Sequence, residues 1–281
     1  MKIDKICGLY FSPTGTTRTV VNHLLQCAVR NYPGAQVEEL DFTLPVNRIN
    51  APAFQSSDLV FVGLPVYAGR LPNLLLKFLS TFSGGGALAV PVVLFGNRSY
   101  GNALIELRDL LENTGFHTVA AAAFVGQHSF SDCLAQGRPD ADDLERAEWF
   151  ARDIAEEVNG LPSAESIMPV SVPGEGAPDY GGYYKPLDDT GHTVNMLKVK
   201  PVTMAACTSC KRCAEVCPMG AIDFRDVTNI PGICIKCNAC IKVCPVQAKK
   251  LVDDSYLGHL RHLENTYTSR SEVVFFRHKM S

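Results

Sequence analysis

The stretch LYFSPTGTTRTVV, residues 9–21, passes from an apolar segment through a loop of hydroxyl residues into a helical pattern. Backbone N–H groups and hydroxyls at the first turn of a helix favour an anion. The loop has no lysine, lacks the Gly-Lys-Ser/Thr of a P-loop and does not read G-x-G-x-x-G, so neither a nucleoside triphosphate nor the usual dinucleotide is indicated. The stretch therefore predicts a strand–loop–helix unit that holds a phosphate monoester. The alternative is a polar turn in which Thr16 caps the helix.

Strand and helix patterns alternate through the first 160 residues. Apolar segments typical of strands occur at 6–11, 37–42, 59–63, 88–96 and 118–125. Apolar residues at helical spacing occur at 16–30, 73–82, 102–113 and 141–158. Five strands that alternate with helices predict a parallel sheet covered on both faces, with right-handed crossovers. The predicted fold class is therefore α/β, a doubly wound five-stranded parallel sheet.

The composition changes after residue 160. Residues 161–202 are rich in proline and glycine, including VPGEGAPDYGGYYKP, and this composition predicts a linker or an extended wrap. Residues 203–250 hold most of the cysteines, and 251–281 form a C-terminal tail. Within the tail, leucines at helical spacing precede a strand-like SEVVFF at 271–276, whose apolar surface we expect to be buried on the first domain.

Eight of the eleven cysteines lie in two runs that both read C-x2-C-x2-C-x3-C-P. The first run is Cys207, Cys210, Cys213 and Cys217, and the second is Cys234, Cys237, Cys240 and Cys244. This spacing is the bacterial ferredoxin signature of two [4Fe–4S] clusters, in which the fourth cysteine of each run binds the other cluster. We therefore predict a small α+β ferredoxin domain. Zinc is the alternative, but it explains the repeated Cys-Pro poorly.

The predicted ligand sets follow from that exchange of the fourth cysteine. Cys207, Cys210 and Cys213 share one cluster with Cys244. Cys217 shares the other with Cys234, Cys237 and Cys240. The remaining cysteines, Cys7, Cys27 and Cys133, are expected to act as small packing residues.

Charge and hydropathy exclude several classes of protein. The net charge of −3, from 26 basic and 29 acidic residues, argues against a nucleic-acid partner. The N-terminus lacks the pattern of a signal peptide, and no stretch approaches the roughly 18 apolar residues of a membrane span. We therefore expect a cytoplasmic protein without a membrane partner. Dense cysteine in a reducing compartment indicates metal rather than disulfides.

The first loop resembles that of the flavodoxins, S/T-x-T-G-x-T. The matching residues are Ser12, Thr14, Gly15, Thr16 and Thr17. The resemblance implies that they bind the phosphate of FMN.

Two further loops follow apolar strands and correspond to the loops that flank the flavin in flavodoxins. The candidate residues of the first are Pro65, Val66, Tyr67, Ala68, Gly69 and Arg70. Those of the second are Gly96, Asn97, Arg98 and Tyr100. Tyr67 is expected to stack on the isoalloxazine ring, Arg70 to lie near its N1–O2 edge and Tyr100 to cover it. The alternative for each tyrosine is ordinary loop packing.

Residues 3–250 together resemble the flavodoxin–ferredoxin fusion proteins of anaerobic bacteria and archaea. The resemblance implies an electron-transfer protein with FMN and two [4Fe–4S] clusters, served by a protein donor and a protein acceptor. An FMN-dependent reductase of a small substrate, with Tyr100 or His128 as the acid, is the alternative. A redox sensor is a third possible function, but the sequence contains no DNA-binding pattern that would support it. A homodimer stays open, and without a second nucleotide site we expect no direct reaction with NAD(P)H.

Overall fold

The structure is a computed structural model that describes residues 1–278. The N-terminal part of the chain forms a sheet flanked by helices. Its strands are β1 (Lys5–Tyr10), β2 (Gln36–Asp41), β3 (Asp58–Pro65), β4 (Leu88–Phe95), β5 (His117–Thr118) and β6 (Ala120–Val125). Its helices are α1 (Thr16–Val29), α2 (Asn73–Leu79), α3 (Ala103–Asn113) and α4 (Ala141–Gly160). These strands pair in parallel in the order β2-β1-β3-β4-β6, the order of flavodoxin-like sheets. The predicted fold class is confirmed.

Helices cover both faces of the sheet, and this burial explains the sequence of its central strands. Strand β4 is buried along its whole length, and β3 at all but its last residue. Helices α1 and α4 pack over one face, and α2 and α3 over the other. Helix α1 lies so close to β3 that a β-carbon at Gly63 would collide with Val21. All parallel strands end at one edge, where the candidate loops begin.

The cysteine-rich part adds a smaller unit of two short strands and two short helices. It consists of β7 (Val202–Thr203), α5 (Arg212–Glu215), α6 (Ala239–Lys242) and β8 (Lys249–Lys250). Strands β7 and β8 pair antiparallel, as in the predicted α+β ferredoxin domain. The buried residues between the two helices include Cys213, Ile222 and Cys240.

The C-terminal tail forms α7 (Asp254–Thr266) and β9 (Val274–Arg277). Strand β9 pairs antiparallel with β6 and places Phe275 against Phe150 of α4, with ring centroids 4.5 Å apart. The predicted burial of SEVVFF on the first domain is confirmed. The five-stranded parallel sheet therefore gains an antiparallel edge strand, which the sequence pattern did not predict because register and partner are tertiary properties.

Residues 161–202 form an extended wrap over the first unit, with one short 3-10 helix at Ala164–Ser166. The amide of Val170 donates to the carbonyl of Thr118 at 3.1 Å. Farther along, the Tyr183 hydroxyl donates to the carbonyl of Leu71 at 2.9 Å. Of the two readings of this segment, linker and wrap, the contacts match the second. Among the described helices, none combines the length and apolar character that a membrane crossing requires.

Candidate functional site

The loop after β1 places unpaired amides at the start of α1. Gly15 adopts a left-handed φ of 93°, which favours glycine, and the Ser12 hydroxyl accepts a hydrogen bond from the Arg18 amide at 3.0 Å. Across residues 1–278, no group accepts a hydrogen bond from the amides of Thr14, Thr16 or Thr17. The first turn carries no acidic residue. These free N–H groups, with the hydroxyls beside them, fit a phosphate monoester.

The loop after β3 makes a tight turn that projects Tyr67. Ala68 and Gly69 both have positive φ, and Tyr67 and Arg70 exchange two backbone hydrogen bonds of 2.9 and 3.1 Å. Val66 is held by a 2.7 Å bond from its amide to the Leu94 carbonyl. Burial raises the pKa of Tyr67 well above its ordinary value, and the nearby Cys237 and Cys234 act in the same direction. Tyr67 therefore lies beside the cysteine-rich unit.

Arg70, which is predicted to lie near a flavin edge, directs its guanidinium to partners within the chain. Its guanidinium is buried and donates two hydrogen bonds to Glu106, at 2.8 and 2.7 Å, and a third to the carbonyl of Asp179. The rings of Tyr180 and Tyr183 lie 4.9 and 5.0 Å from it. Sequence spacing did not reveal Glu106 as the partner, because α3 brings that carboxylate to the loop only in three dimensions.

The loop after β4 binds other parts of the chain with its side chains. Asn97 has a φ of 66° and its amide group donates to the Tyr267 and Ser269 carbonyls at 2.6 and 2.9 Å. The Arg98 guanidinium lies 4.0 Å from the ring centre of Tyr184 in the wrap. The side chains of Asn97 and Arg98 thus contact the tail and the wrap.

Tyr100 packs its ring edge-on against Phe95, with centroids 5.7 Å apart, and is partly buried. The described contacts therefore match the packing alternative for Tyr100. Pro65 is half-buried at the end of β3, and Gly96, at the end of β4, lies against a histidine.

That histidine is His128, in the loop after β6. A β-carbon at Gly96 would collide with its ring. Its Nδ1 accepts a hydrogen bond from the Phe130 amide at 3.1 Å. Burial, together with the charges of His259, Lys242 and Arg98, lowers the pKa of His128 to about 4. His128 is therefore neutral near pH 7, which disfavours it as a general acid.

The eight cysteines of the two runs line two separate cavities. The first cavity is lined by Cys217, Cys234, Cys237 and Cys240. The second cavity is lined by Cys207, Cys210, Cys213 and Cys244. The structure thus brings together the same two groups of four that the sequence spacing predicts. We call them the inner and the outer cavity.

Backbone amides donate to the cysteine sulfurs in a pattern that repeats between the two runs. Cys207 and Cys234 each accept from the amide two residues later, at 3.4 Å in both cases. Cys217 and Cys244 each accept from the amide four residues later, at 3.2 Å in both cases. Burial raises the pKa of Cys237 to about 12, so this thiol stays protonated unless a metal binds it. The donor set fits thiolate ligands of iron–sulfur clusters.

Residues 206–248 match the family described as the 4Fe-4S dicluster domain. The segment is a 4Fe-4S dicluster domain. Joined to the flavodoxin-like N-terminal domain, the dicluster domain implies a role in electron transfer. No curated protein matches the chain significantly in sequence.

Several solved structures resemble the N-terminal domain. A flavodoxin from the domain Archaea matches with a TM-score of 0.40 and 15% identity, covering 55% of this chain and 99% of that one. A flavodoxin of Streptococcus pneumoniae TIGR4 has a TM-score of 0.39 and 18% identity, over 54% and 98% of the two chains. Rubredoxin oxygen:oxidoreductase from Desulfovibrio gigas has a TM-score of 0.40 and 17% identity, over 56% of this chain and 37% of that one.

The dicluster domain packs against the edge of the sheet where the candidate loops lie. Ile235, between two inner-cavity cysteines, packs against the core of the N-terminal domain. The Asn238 side chain donates to the Ser129 carbonyl at 3.1 Å and to the Tyr256 hydroxyl at 2.8 Å. Arg48 donates to the carbonyl of Pro218 at 2.5 Å. The inner cavity is therefore the one that faces the N-terminal domain.

Lys249 is a residue of the site that sequence reasoning did not single out, because a sequence does not show which lysines are buried. It is only 2% exposed, lines the outer cavity and donates to the Thr203 hydroxyl at 2.6 Å. Its positive charge lowers the pKa of Cys213, against the larger effect of burial, which raises it. The sequence does distinguish Lys249, because the equivalent position of the first cysteine run holds the apolar Ile222.

Proposed function

We propose that this protein carries electrons between two [4Fe–4S] clusters in the dicluster domain and FMN in the N-terminal domain, and on to a partner oxidoreductase. The observation that carries the proposal is the packing of Ile235, which lies between the inner-cavity cysteines Cys234 and Cys237. It packs against the same core of the N-terminal domain as Val66 and Tyr100 of the candidate FMN loops. When bound, such clusters exchange single electrons and FMN exchanges one or two, while the protein supplies binding and orientation.

In this proposal the chain's own residues keep the two sites at a fixed, short separation. Ile235, Asn238 and Arg48 join the domains through packing and hydrogen bonds. Because both sites lie on one chain, no second copy is required to bring them together. The unpaired amides of Thr14, Thr16 and Thr17 hold the FMN phosphate, and Tyr67 contacts its ring.

The outer cavity supplies the surface for the partner. Cys210 is exposed, and Met204 and Val246 beside the outer-cavity cysteines are 44% and 40% exposed. Arg212 is exposed on the same run. An apolar rim with a basic residue fits an acidic protein partner. We propose that both donor and acceptor are proteins and that nucleic acid is not a partner.

The structure offers less support for the reductase alternative, which needs an open substrate face and an acid. The wrap covers the loop after β3, since the Tyr184 amide donates to the Ala68 carbonyl at 2.8 Å. Asn238 ties the loop after β6 to the dicluster domain. His128 is neutral near pH 7, and the pKa of Tyr100 is raised by burial. These features favour electron transfer to a protein.

An anaerobic visible-spectrum titration of the purified protein with NADH, NADPH and then dithionite tests the proposal. We expect flavin and cluster absorption to bleach with dithionite only. Rapid bleaching by either nicotinamide would show a hydride site and favour the reductase reading. Absence of flavin absorption after reconstitution with FMN would contradict the proposed cofactor.

A variant in the candidate FMN loop tests the same site independently of turnover. Tyr67→Ala removes an aromatic contact of about 1 kcal/mol, so we expect the Kd for FMN to rise roughly five- to tenfold. Tyr67→Phe keeps the ring and should bind as the native protein does. Tyr32→Phe, at the far end of α1, is the matched control. An unchanged Kd in Tyr67→Ala, measured by fluorescence quenching of FMN, would place the ring elsewhere.

A further inference from the structure

Helices α1 and α4 bring together three side chains of types that can bind a metal. They lie outside the candidate FMN loops and both cysteine cavities. His23 and Cys27 are four residues apart on α1 and therefore lie on one face of that helix. Glu148 faces them from α4. One ligand atom of each residue, the imidazole nitrogen, the thiol sulfur and a carboxylate oxygen, lies within 4.8 Å of the other two.

The buried end of His23 has no hydrogen-bond partner within the described part of the chain. Its Nε2 is shielded from solvent, and leaving such a group unpaired costs about 1–3 kcal/mol. A buried polar atom without a hydrogen-bond partner calls for an explanation, and a bound ion is one of the recognised explanations. A neutral imidazole nitrogen is also a common ligand of transition metals.

The other two side chains complete a mixed donor set. Cys27 is 4% exposed, and its sulfur makes no hydrogen bond to any described residue. Glu148 accepts a hydrogen bond from Arg30 at 2.9 Å through one oxygen, and this bond holds its carboxylate toward α1. One nitrogen, one sulfur and one oxygen ligand suit a borderline-soft divalent ion, whereas Mg²⁺ and Ca²⁺ prefer oxygen alone.

We propose that His23, Cys27 and Glu148 bind one Zn²⁺ ion per chain, with a water molecule as the fourth ligand. Bond lengths of about 2.0–2.3 Å in a tetrahedral site imply ligand separations of about 3.3–3.8 Å. The three ligand atoms therefore need to approach one another by about 1 Å, which side-chain rotation on two packed helices supplies. Zinc binding deprotonates Cys27, and its proton passes to solvent.

The ion would cross-link the helix that starts at the proposed phosphate site to the last helix of the N-terminal domain. Burial and the charge of Glu148 raise the pKa of the Cys27 thiol. The site therefore changes Cys27 from the expected packing residue into a ligand. This inference does not depend on the proposed function.

The experiment must separate this site from the cluster cysteines, which also bind zinc when they lack iron. Holoprotein with its full iron content is incubated with ZnCl₂, dialysed and analysed for zinc and iron, and zinc K-edge absorption then gives the ligand shell. We expect about one zinc per chain, with one sulfur near 2.3 Å and the remaining nitrogen or oxygen ligands near 2.0 Å. A shell of four sulfurs, or no retained zinc, would overturn the proposal.

Variants locate the ion. Cys27→Ser and the partly exposed Glu148→Gln should each lose the zinc while iron content stays unchanged. The loss of zinc affinity should exceed the roughly 10–100-fold loss that follows replacement of a residue outside the ligand shell. Cys133→Ser, which removes the exposed free cysteine, is the matched control and should keep the zinc. If Glu148→Gln and Cys27→Ser retained as much zinc as the native protein, the ion would bind elsewhere.

Discussion

At the residue scale, Arg70 and Glu106 form a buried ion pair between the loop after β3 and helix α3. Glu106 accepts two hydrogen bonds from the guanidinium and a third from the Leu71 amide at 2.9 Å. Both side chains are less than 10% exposed, at 8% and 4%. A buried ion pair contributes little net stability, yet removal of one partner leaves a desolvated charge behind.

We therefore predict that Glu106→Gln strongly destabilises the protein. The lost carboxylate leaves Arg70 buried without a counter-ion, which costs about 3–5 kcal/mol. The thermal midpoint, followed by circular dichroism under anaerobic conditions, should fall by roughly 10 °C. Asp153→Asn, which breaks the more exposed pair with Arg277, should change stability by less than about 1 kcal/mol. Equal effects of the two variants would contradict this interpretation.

His128 gives the protein a predictable response to acid. Its pKa of about 4 in the folded state lies below its ordinary value of 6.5, because burial and the charges of His259, Lys242 and Arg98 oppose protonation. The unfolded chain therefore binds more protons between these values. Stability from neutral His128 is complete above pH 6.5 and is lost as the pH falls toward 4.

The corresponding prediction is a fall of about 1 kcal/mol in the free energy of unfolding between pH 7.5 and 5.5 from this residue. His128→Gln removes the titrating group and should reduce this pH dependence. His117→Gln, at the start of β5, is the control and should retain it. Thermal midpoints at the two pH values measure the difference. An identical loss in native protein and His128→Gln would assign the effect to other groups, His259 among them.

At the element scale, the Asn97 side chain holds the tail together with strand pairing and with hydrogen bonds from Arg138 and Arg146. The Asn97 carboxamide makes three hydrogen bonds to the tail, two as donor to the Tyr267 and Ser269 carbonyls and one as acceptor from the Ser271 amide at 3.1 Å. These bonds connect the end of α7 to β9. The tail thereby reaches both the candidate FMN loop and the sheet edge.

We predict that Asn97→Gly releases this connection while leaving the turn intact. Glycine tolerates the φ of 66°, so only the side-chain hydrogen bonds are lost, each contributing about 0.5–1.5 kcal/mol. Limited proteolysis should cut within 267–273 at a higher rate than in the native protein. Asn47→Gly, in the 3-10 helix Pro45–Arg48, serves as the control. Unchanged cleavage would mean that β9 pairing and the hydrogen bonds from Arg138 and Arg146 hold the tail without Asn97.

At the scale of the whole molecule, the two cysteine cavities differ in position. The inner cavity faces the N-terminal domain through Ile235, whereas the outer cavity opens beside the exposed Cys210. If the proposed function is correct, the two cavities have different tasks. The inner cavity adjoins the proposed FMN site, and the outer cavity adjoins the proposed partner surface.

Replacement of one cysteine in each cavity should reveal this difference. Cys237→Ala and Cys210→Ala should each lose about half of the iron and keep FMN. In Cys210→Ala, dithionite should still reduce the flavin, whereas reduction by a reduced bacterial 2[4Fe–4S] ferredoxin, used as a protein probe, should slow strongly. Electron paramagnetic resonance and stopped-flow absorption measure the two outcomes. Full iron content in Cys237→Ala would contradict the ligand sets, and rapid reduction of Cys210→Ala by the probe would contradict the outer partner surface.

The sequence alone determines the strands and helices of the N-terminal domain and the two sets of four cysteines, because both are encoded by local patterns. Hydrophobic periodicity predicts an element within a short window, and the C-x2-C-x2-C-x3-C-P spacing predicts cluster ligands in the same way. The predicted segments agree with the observed strands and helices to within a few residues. The strand order then confirms the fold class.

Only the tertiary structure decided what Arg70, Asn97 and Ile235 contact. Their partners, Glu106, the tail carbonyls and the core of the N-terminal domain, lie far away along the chain. The same holds for the antiparallel pairing of β9 with β6. Local patterns carry no information on such contacts, because they depend on how elements pack and not on the residues next in sequence.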